Sequence, residues 1–379
     1  MIDQRLLVTN LELCVQKLGR KAVPKMEVLQ AQKLVLEKNE SIKKVEEFRH
    51  QKNQKSKEIG RLMAEKEIEK ANQAKKQVGK LKSILDQEEK KLSELESKVK
   101  NCLLHIPNFP HDQAPNGESS ADNVEILREN FDSDFFNSKQ FLPHWEIMEE
   151  LNIFDQARAG KITGSMFSIL KGSGAKLLRS LISFAFDIFE EEFTEFVVPS
   201  LVNTASLTGT GQLPKFADDA YHIEKDDLWA IPTGEVPLTA LHQQEILNER
   251  ELPLKYMTHT PCFRREAGAA GQENRGLQRL HEFHKVELVK ICKASQSEKE
   301  LESLLKSALK PIQLLKLPYR VLDLCAKDLT FASARTYDIE VYSPGTKTWL
   351  EVSSVGLFTD YQSRRSQIRY KEGKQIYYP

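Results

Sequence analysis

From Lys25 to Lys100 the chain contains no proline. Proline removes a backbone donor and clashes with the preceding turn, so a stretch this long without it can be helical from end to end. In its second half, Val78, Leu81, Leu85, Glu88, Leu92, Leu95, Val99 and Cys102 recur at alternating three- and four-residue steps. That is a heptad seam with one polar interruption. The first half is looser, with Val35, Ile42, Val45, Ile59 and Met63 on a comparable stripe. Between them "AEKEIEKANQ" (64–73) is polar and loses the rhythm. The pattern predicts two long helices folded into an antiparallel hairpin, an arm with a narrow apolar seam and wide polar faces.

The charge of the arm bears on what it does. Residues 41–100 hold 17 Lys and Arg against 11 Asp and Glu, in a chain that is neutral overall, so a basic segment is joined to an acidic body. Fifteen of those 17 are lysines. They suit attraction to phosphate without reading of bases, and the scarcity of aromatics argues against stacking on single strands. A plain dimerisation coiled coil with solvated lysines has the same pattern, and the pattern leaves both readings open.

Downstream, "IPNFPHDQAPNGESSADN" (106–123) carries three prolines and a polar cluster, the composition of a linker. "KLLRSLISFAFDIFEEEF" (176–193) has helical periodicity. "TEFVVPSLVN" (194–203) reads as one extended strand, and Pro199 would confine it to an edge or an interface. Cys14, Cys102, Cys262, Cys292 and Cys325 are widely spaced and odd in number, which predicts free thiols in a reducing compartment. There is no basic segment followed by an apolar run at the start, and no apolar stretch long enough for a membrane span. The expectation is a soluble, cytoplasmic protein with no membrane partner.

Residues 262–289, "CFRREAGAAGQENRGLQRLHEFHKVELV", form the other unusual stretch. Two alternating segments flank a loop with Gly268, Gly271 and Gly276, longer than the roughly 2–5 residues of ordinary hairpin loops. Side chains in a strand alternate between faces, so Arg279, Phe283 and Glu287 share one face, and Arg264 and Glu266 share a face of the preceding strand. Arginine grips phosphate bidentately and a flat aromatic ring offers a platform for a base. The same residues also describe an exposed sheet face with cross-strand ion pairs.

"FRREAG" and "GLQRLHEFHKVE" resemble motif 2 of class II aminoacyl-tRNA synthetases, in the form found in seryl-tRNA synthetases. "EEFTEFVVPSLV" is similar to motif 1 of that class, with Pro199 as its characteristic proline. "TGTGQLPKF" (208–216), "IPTGEVPLT" (231–239), "WLEVSSVGLFTDYQSRRSQIRY" (349–370) and "IPNFPH" also resemble seryl-enzyme signatures, in register along the whole chain. The resemblance implies an α+β fold: a tRNA-binding N-terminal domain with a helical arm (1–105), a linker (106–123) and a catalytic domain around a mainly antiparallel sheet (124–379).

It also implies roles. Arg264 would hold the ATP α-phosphate with Arg265 beside it, Glu266 would meet the adenine amino group, Arg279 the terminal phosphates, and Phe283 would stack on adenine. Glu351 would coordinate Mg²⁺, with Val352, Ser353 and Ser354 completing the ATP site. Thr233, Gly234, Glu235 and Glu287 would bind L-serine, Glu287 facing its amino group. Gly234, Glu282 and Val352 stand where the family usually has Ala or Ser, Gln and Ile. The implied activity is activation of serine with ATP and transfer to tRNA(Ser), with the selenocysteine tRNA as a second candidate. The arm would lie along the tRNA, and motif 1 would make a homodimer. The motif 3 segment, expected after "KEGKQIYYP", is not in this sequence. That motivates an alternative expectation, an impaired form acting as a tRNA- or serine-binding module. Amino-acid transfer to a carrier protein is opposed by the presence of the arm, and a purely structural coiled coil leaves the 262–289 hairpin without a use.

Overall fold

The computed structural model describes residues 1–266 and 275–379. The loop glycines Gly268 and Gly271 lie outside the described residues. The chain divides into two compact units, residues 2–106 and, together with Met1, residues 107–379.

In the first unit, helices Lys25–Ala64 and Ile68–Leu104 run antiparallel about a turn at 65–67. Val28, Ala31, Val35, Val45 and Leu62 from one helix are buried with Ala71, Ala74, Leu85, Leu95 and Val99 from the other. The seam therefore begins one heptad earlier than the leucines suggest, on Ala71 inside the polar interval and Ala74 just past it. Leu62 takes the buried position expected of Met63, which is 49 % exposed beside the turn. Two short helices, Gln4–Thr9 and Leu11–Gly19, precede the arm, and Asp3 and Asn10 cap them by accepting from backbone N–H groups. Arg49 of the first long helix pairs with Glu89 of the second at 2.7 Å.

The second unit is built on antiparallel sheet. One sheet orders its strands Val124–Glu129, Tyr319–Asp323, Arg335–Ser343 and Thr348–Leu357. A second places Leu254–Phe263 between the short parallel strand Thr194–Glu195 and the antiparallel Glu282–Ile291. Helix Ser297–Leu314 lays Leu301, Leu305, Leu309 and Ile312 against Tyr319, Val321, Tyr337, Ile339 and Val355 of the first sheet. Phe189 and Phe193 cover Met257 and Leu288 of the second. Each sheet thus lays one face on a helix-covered core, and on the second sheet the other face is apolar at the Leu254–Ile291 end and polar toward Phe283. Residues 107–123 are docked on this unit: the Asn108 side chain donates to the carbonyls of Ala332 (2.9 Å) and Phe358 (2.8 Å).

The segment 194–203 departs from the expected continuous strand. It breaks into Thr194–Glu195 and Leu201–Asn203, which belong to different sheets. Pro199 offers no N–H to a ladder and restricts the residue before it, so pairing stops across the intervening residues. Val197, in that gap, is 95 % exposed.

Candidate functional site

The hairpin register runs from Leu254 opposite Ile291 to Phe263 opposite Glu282. Thr258 faces Glu287, Thr260 faces Lys285 and Cys262 faces Phe283, so these six side chains share one face. Phe283 and Glu287 are therefore together, as alternation predicts. Arg264, Glu266 and Arg279 lie past the strand ends at Phe263 and Glu282, which corrects the placement of Arg264 and Glu266 on a strand and of Arg279 on the strand face of Phe283 and Glu287. The Arg264 N–H still donates to the His281 carbonyl at 2.9 Å, but Glu266 has φ +50°, which ends any pleat. Both cations nevertheless have partners among the predicted site residues. The Arg264 guanidinium lies 5.1 Å from the centre of the Phe283 ring, and Arg279 Nε is 3.2 Å from Glu266 Oε2. Arg265 is exposed, and its N–H donates to the Asp219 carbonyl.

A tight polar cluster occupies the middle of the face. Thr233 Oγ1 donates to Glu287 Oε2 at 2.5 Å and accepts from Lys285 Nζ at 2.8 Å, while Lys285 Nζ is 2.7 Å from the same carboxylate oxygen. Burial works against the Lys285 ammonium, but Glu287 outweighs it and holds the group firmly protonated. The sequence reading missed Lys285, although its parity with Phe283 and Glu287 marks the same face. Gly234 lets the turn sit close on the hairpin: a Cβ there would come 2.9 Å from Thr258 Cγ2 and 3.1 Å from Glu287 Cβ. The threonine methyl fills space that an alanine or serine side chain would need. Glu235 begins the short helix Glu235–Ala240. Burial, and then the neighbouring Glu287 carboxylate, push its pKa up to about 7, against a hydrogen bond from the Gln362 side chain. Gln362 also donates to the Thr210 carbonyl at 3.0 Å and was likewise missed, since only the fold brings residue 362 to residue 235.

The remaining predicted residues lie on Thr348–Leu357. Regular alternation would put Glu351 and Ser354 on opposite faces. The ladder slips at Val352, with Asp338 opposite Ser354, Ile339 opposite Ser353 and Glu340 opposite Glu351. This bulge turns Glu351 and Ser354 to the same face as Asp338, away from the core, and sends Ser353 with Ile339 to the other. Asp338 is pushed up to about 7 by burial and by Glu351, with a Ser354 hydrogen bond opposing. Asp338 Oδ1 is buried and has no hydrogen-bond partner among the described residues. Glu282–Ile291 and Thr348–Leu357 are outer strands of their sheets, and both line one cavity of about 1420 Å³ with Arg264, Arg279 and Glu235.

Comparison with known proteins finds relatives along the length of the chain. Residues 1–110 match the seryl-tRNA synthetase N-terminal domain, and residues 218–377 the tRNA synthetase class II core domain (G, H, P, S and T). The serine--tRNA ligase of Synechococcus sp. (strain RCC307) is 43 % identical over 99 % of this chain and 88 % of its own length. That of Geobacillus kaustophilus (strain HTA426) is 44 % identical over 98 % of this chain and 87 % of its own. The crystal structure of a seryl-tRNA synthetase from Pyrococcus horikoshii complexed with ATP superposes with a TM-score of 0.87 and 32 % identity, covering all of this chain and 89 % of that one.

The pKa of Glu235 has a measurable consequence. The folded chain keeps this proton up to about pH 7, whereas the unfolded chain releases it near 4.5, the ordinary value for a glutamate. Across that window the unfolded state binds fewer protons, so Glu235 lowers stability as pH rises from about 4.5 to 7. Relative to a Glu235→Gln variant, the native chain should lose denaturant resistance over pH 5–7. Parallel midpoints across that range would contradict a buried, protonated Glu235.

Proposed function

The chain belongs to the seryl-tRNA synthetases, and from that premise we propose that the cavity between the hairpin and the Glu351 strand is where it joins L-serine to ATP. As a class II serine--tRNA ligase it forms seryl-adenylate and then transfers serine to tRNA. The observation that carries the placement is the Thr233–Lys285–Glu287 cluster two residues from the Phe283 ring on one strand face. Glu287 Oε2 already receives one ammonium, that of Lys285, and the α-ammonium of serine is a cation of the same kind. Thr233, Gly234, Glu235 and Glu287 form the serine pocket on this reading, with adenine on Phe283 and its amino group toward Glu266. Arg264 grips the α-phosphate, Arg265 flanks the nucleotide, and Arg279 turns from Glu266 to the terminal phosphates.

Lys285 lies on the rungs between Phe283 and Glu287, about 7 Å along the strand from each. A serine whose ammonium sits on Glu287 and whose adenylate base sits on Phe283 has its carboxylate between them, beside Lys285 and Arg264. There a serine carboxylate oxygen attacks the α-phosphorus, and the bond to the bridging oxygen breaks to release pyrophosphate. A tRNA ribose hydroxyl then attacks the acyl carbon and AMP leaves. Such transfers need alignment and charge neutralisation more than a side-chain nucleophile, which is what arginines and a lysine supply. Glu351, with Asp338 and Ser354 beside it, is an all-oxygen donor set with an unpartnered buried oxygen, which fits a hard divalent cation. Mg²⁺ held there would neutralise phosphate charge.

Replacing Arg264 by alanine should slow serine-dependent ATP–pyrophosphate exchange roughly 10²–10³-fold, the scale of losing one donor to developing charge. Lysine should rescue poorly because it lacks the planar fork. Exchange at the unaltered rate in Arg264→Ala would remove this residue from the site.

We place tRNA(Ser) on the lysine-rich faces of the arm and a homodimer interface on the Pro199 segment, where Val197 and Leu201 are exposed apolar residues. A chain with residues 27–100 deleted and bridged should still sediment as a dimer and exchange pyrophosphate, while its tRNA affinity collapses. A monomer with unchanged tRNA affinity would instead make the arm a dimerisation coiled coil.

A further inference from the structure

We propose that His144 is a positioning residue for the nucleotide, fixing the backbone at Leu277 and so setting where Arg279 meets the terminal phosphates. The proposal rests on the reading of Arg279 as the partner of those phosphates. His144 opens the helix His144–Glu150. Its Nε2 accepts a hydrogen bond from the Leu277 N–H at 3.0 Å. The preceding Gly276 has φ +71°, and a Cβ on it would overlap the same imidazole nitrogen, so ring and loop are in intimate contact. Arg279 follows Leu277 by two residues, too short a tether to swing independently of it.

The other side of His144 is anchored as closely. Gly345 lies in the turn that joins Arg335–Ser343 to Thr348–Leu357, and a Cβ there would come 2.6 Å from Pro143 Cα. Residues 142–144 therefore bridge the turn of the hairpin that carries Glu351 to the loop end that carries Arg279. His144, Leu277, Arg279 and Glu351 all line the same cavity. Arg279, in the loop of one hairpin, and Glu351, on a strand of another, thus hang from different sheets, and His144 is a rigid spacer between their supports. To accept from Leu277, Nε2 must carry the lone pair and Nδ1 the proton. Burial lowers the pKa of His144, which favours that neutral form.

A residue that merely packs would affect all ligands alike, whereas a spacer for Arg279 should be felt only by a ligand with terminal phosphates. Calorimetric affinities for ATP and for AMP separate the two. His144→Phe keeps ring volume without the acceptor and should weaken ATP about five- to tenfold, the scale of one hydrogen bond, with AMP unchanged within about twofold. His144→Gln, whose amide oxygen can reach the Nε2 position, should keep ATP close to the native affinity. Equal losses for ATP and AMP, an unaffected ATP affinity in His144→Phe, or a Gln variant as impaired as Phe would each overturn the proposal. Arg279→Ala, measured alongside, should also weaken ATP and spare AMP. If it does so while His144→Phe does not, only the role of His144 fails. If Arg279→Ala leaves ATP affinity intact, the phosphate reading fails and the proposal with it.

Discussion

The site depends on the antiparallel register of Leu254–Phe263 with Glu282–Ile291. Alternation gives each strand two faces, and the aromatic side chains Phe189 and Phe193 claim the one that bears Met257 and Leu288. The opposite face must then carry Phe283, Lys285 and Glu287 in order, at a spacing set by backbone geometry. A slip of one residue would bury the polar set and expose the apolar one, so the core itself enforces the order of ring, cation and carboxylate. Further along the same face Tyr256, Val289 and Ile291 enter an apolar cluster with Leu238 and Ile368, which anchors the open end of the hairpin, away from its loop.

Several charges in the cavity are balanced within the protein before any ligand arrives. Lys285 neutralises Glu287, Arg279 neutralises Glu266, and Glu235 is relieved of its charge by keeping a proton near neutrality. Asp338 beside Glu351 is relieved in the same way. Each of these arrangements can be exchanged for a ligand group of the same sign: an ammonium for Lys285, phosphates for Glu266, a divalent cation for the proton on Asp338. Groups that bind charge strongly but sit in a partly buried cavity need such internal partners, because an unpaired charge there is costly.

What could be read from the sequence was what depends on short-range periodicity. The heptad from Val78 to Cys102 lies along the buried seam of a helix, and the parity of Phe283 and Glu287 placed them on one face. Lys285 was equally legible and passed over. The bulge at Val352 was not, because it is a property of two strands. Parity on Thr348–Leu357 alone would have parted Glu351 from Ser354, and only the motif resemblance kept them together. Pro199 signalled trouble for a strand correctly, but not that the strand would split between two sheets. Contacts such as Gln362 with Glu235 and His144 with Leu277 join residues more than a hundred positions apart, where no local pattern reaches.

The central claim, that one strand face orders the adenine platform, the cation and the ammonium acceptor, is tested most directly by a crystal structure with a non-hydrolysable seryl-adenylate analogue. The account predicts the adenine ring stacked on Phe283, the serine ammonium within hydrogen-bond distance of Glu287, and Lys285 moved off that carboxylate toward the acyl–phosphate linkage. An analogue whose ammonium lies elsewhere while Lys285 remains on Glu287 and Thr233 would contradict it.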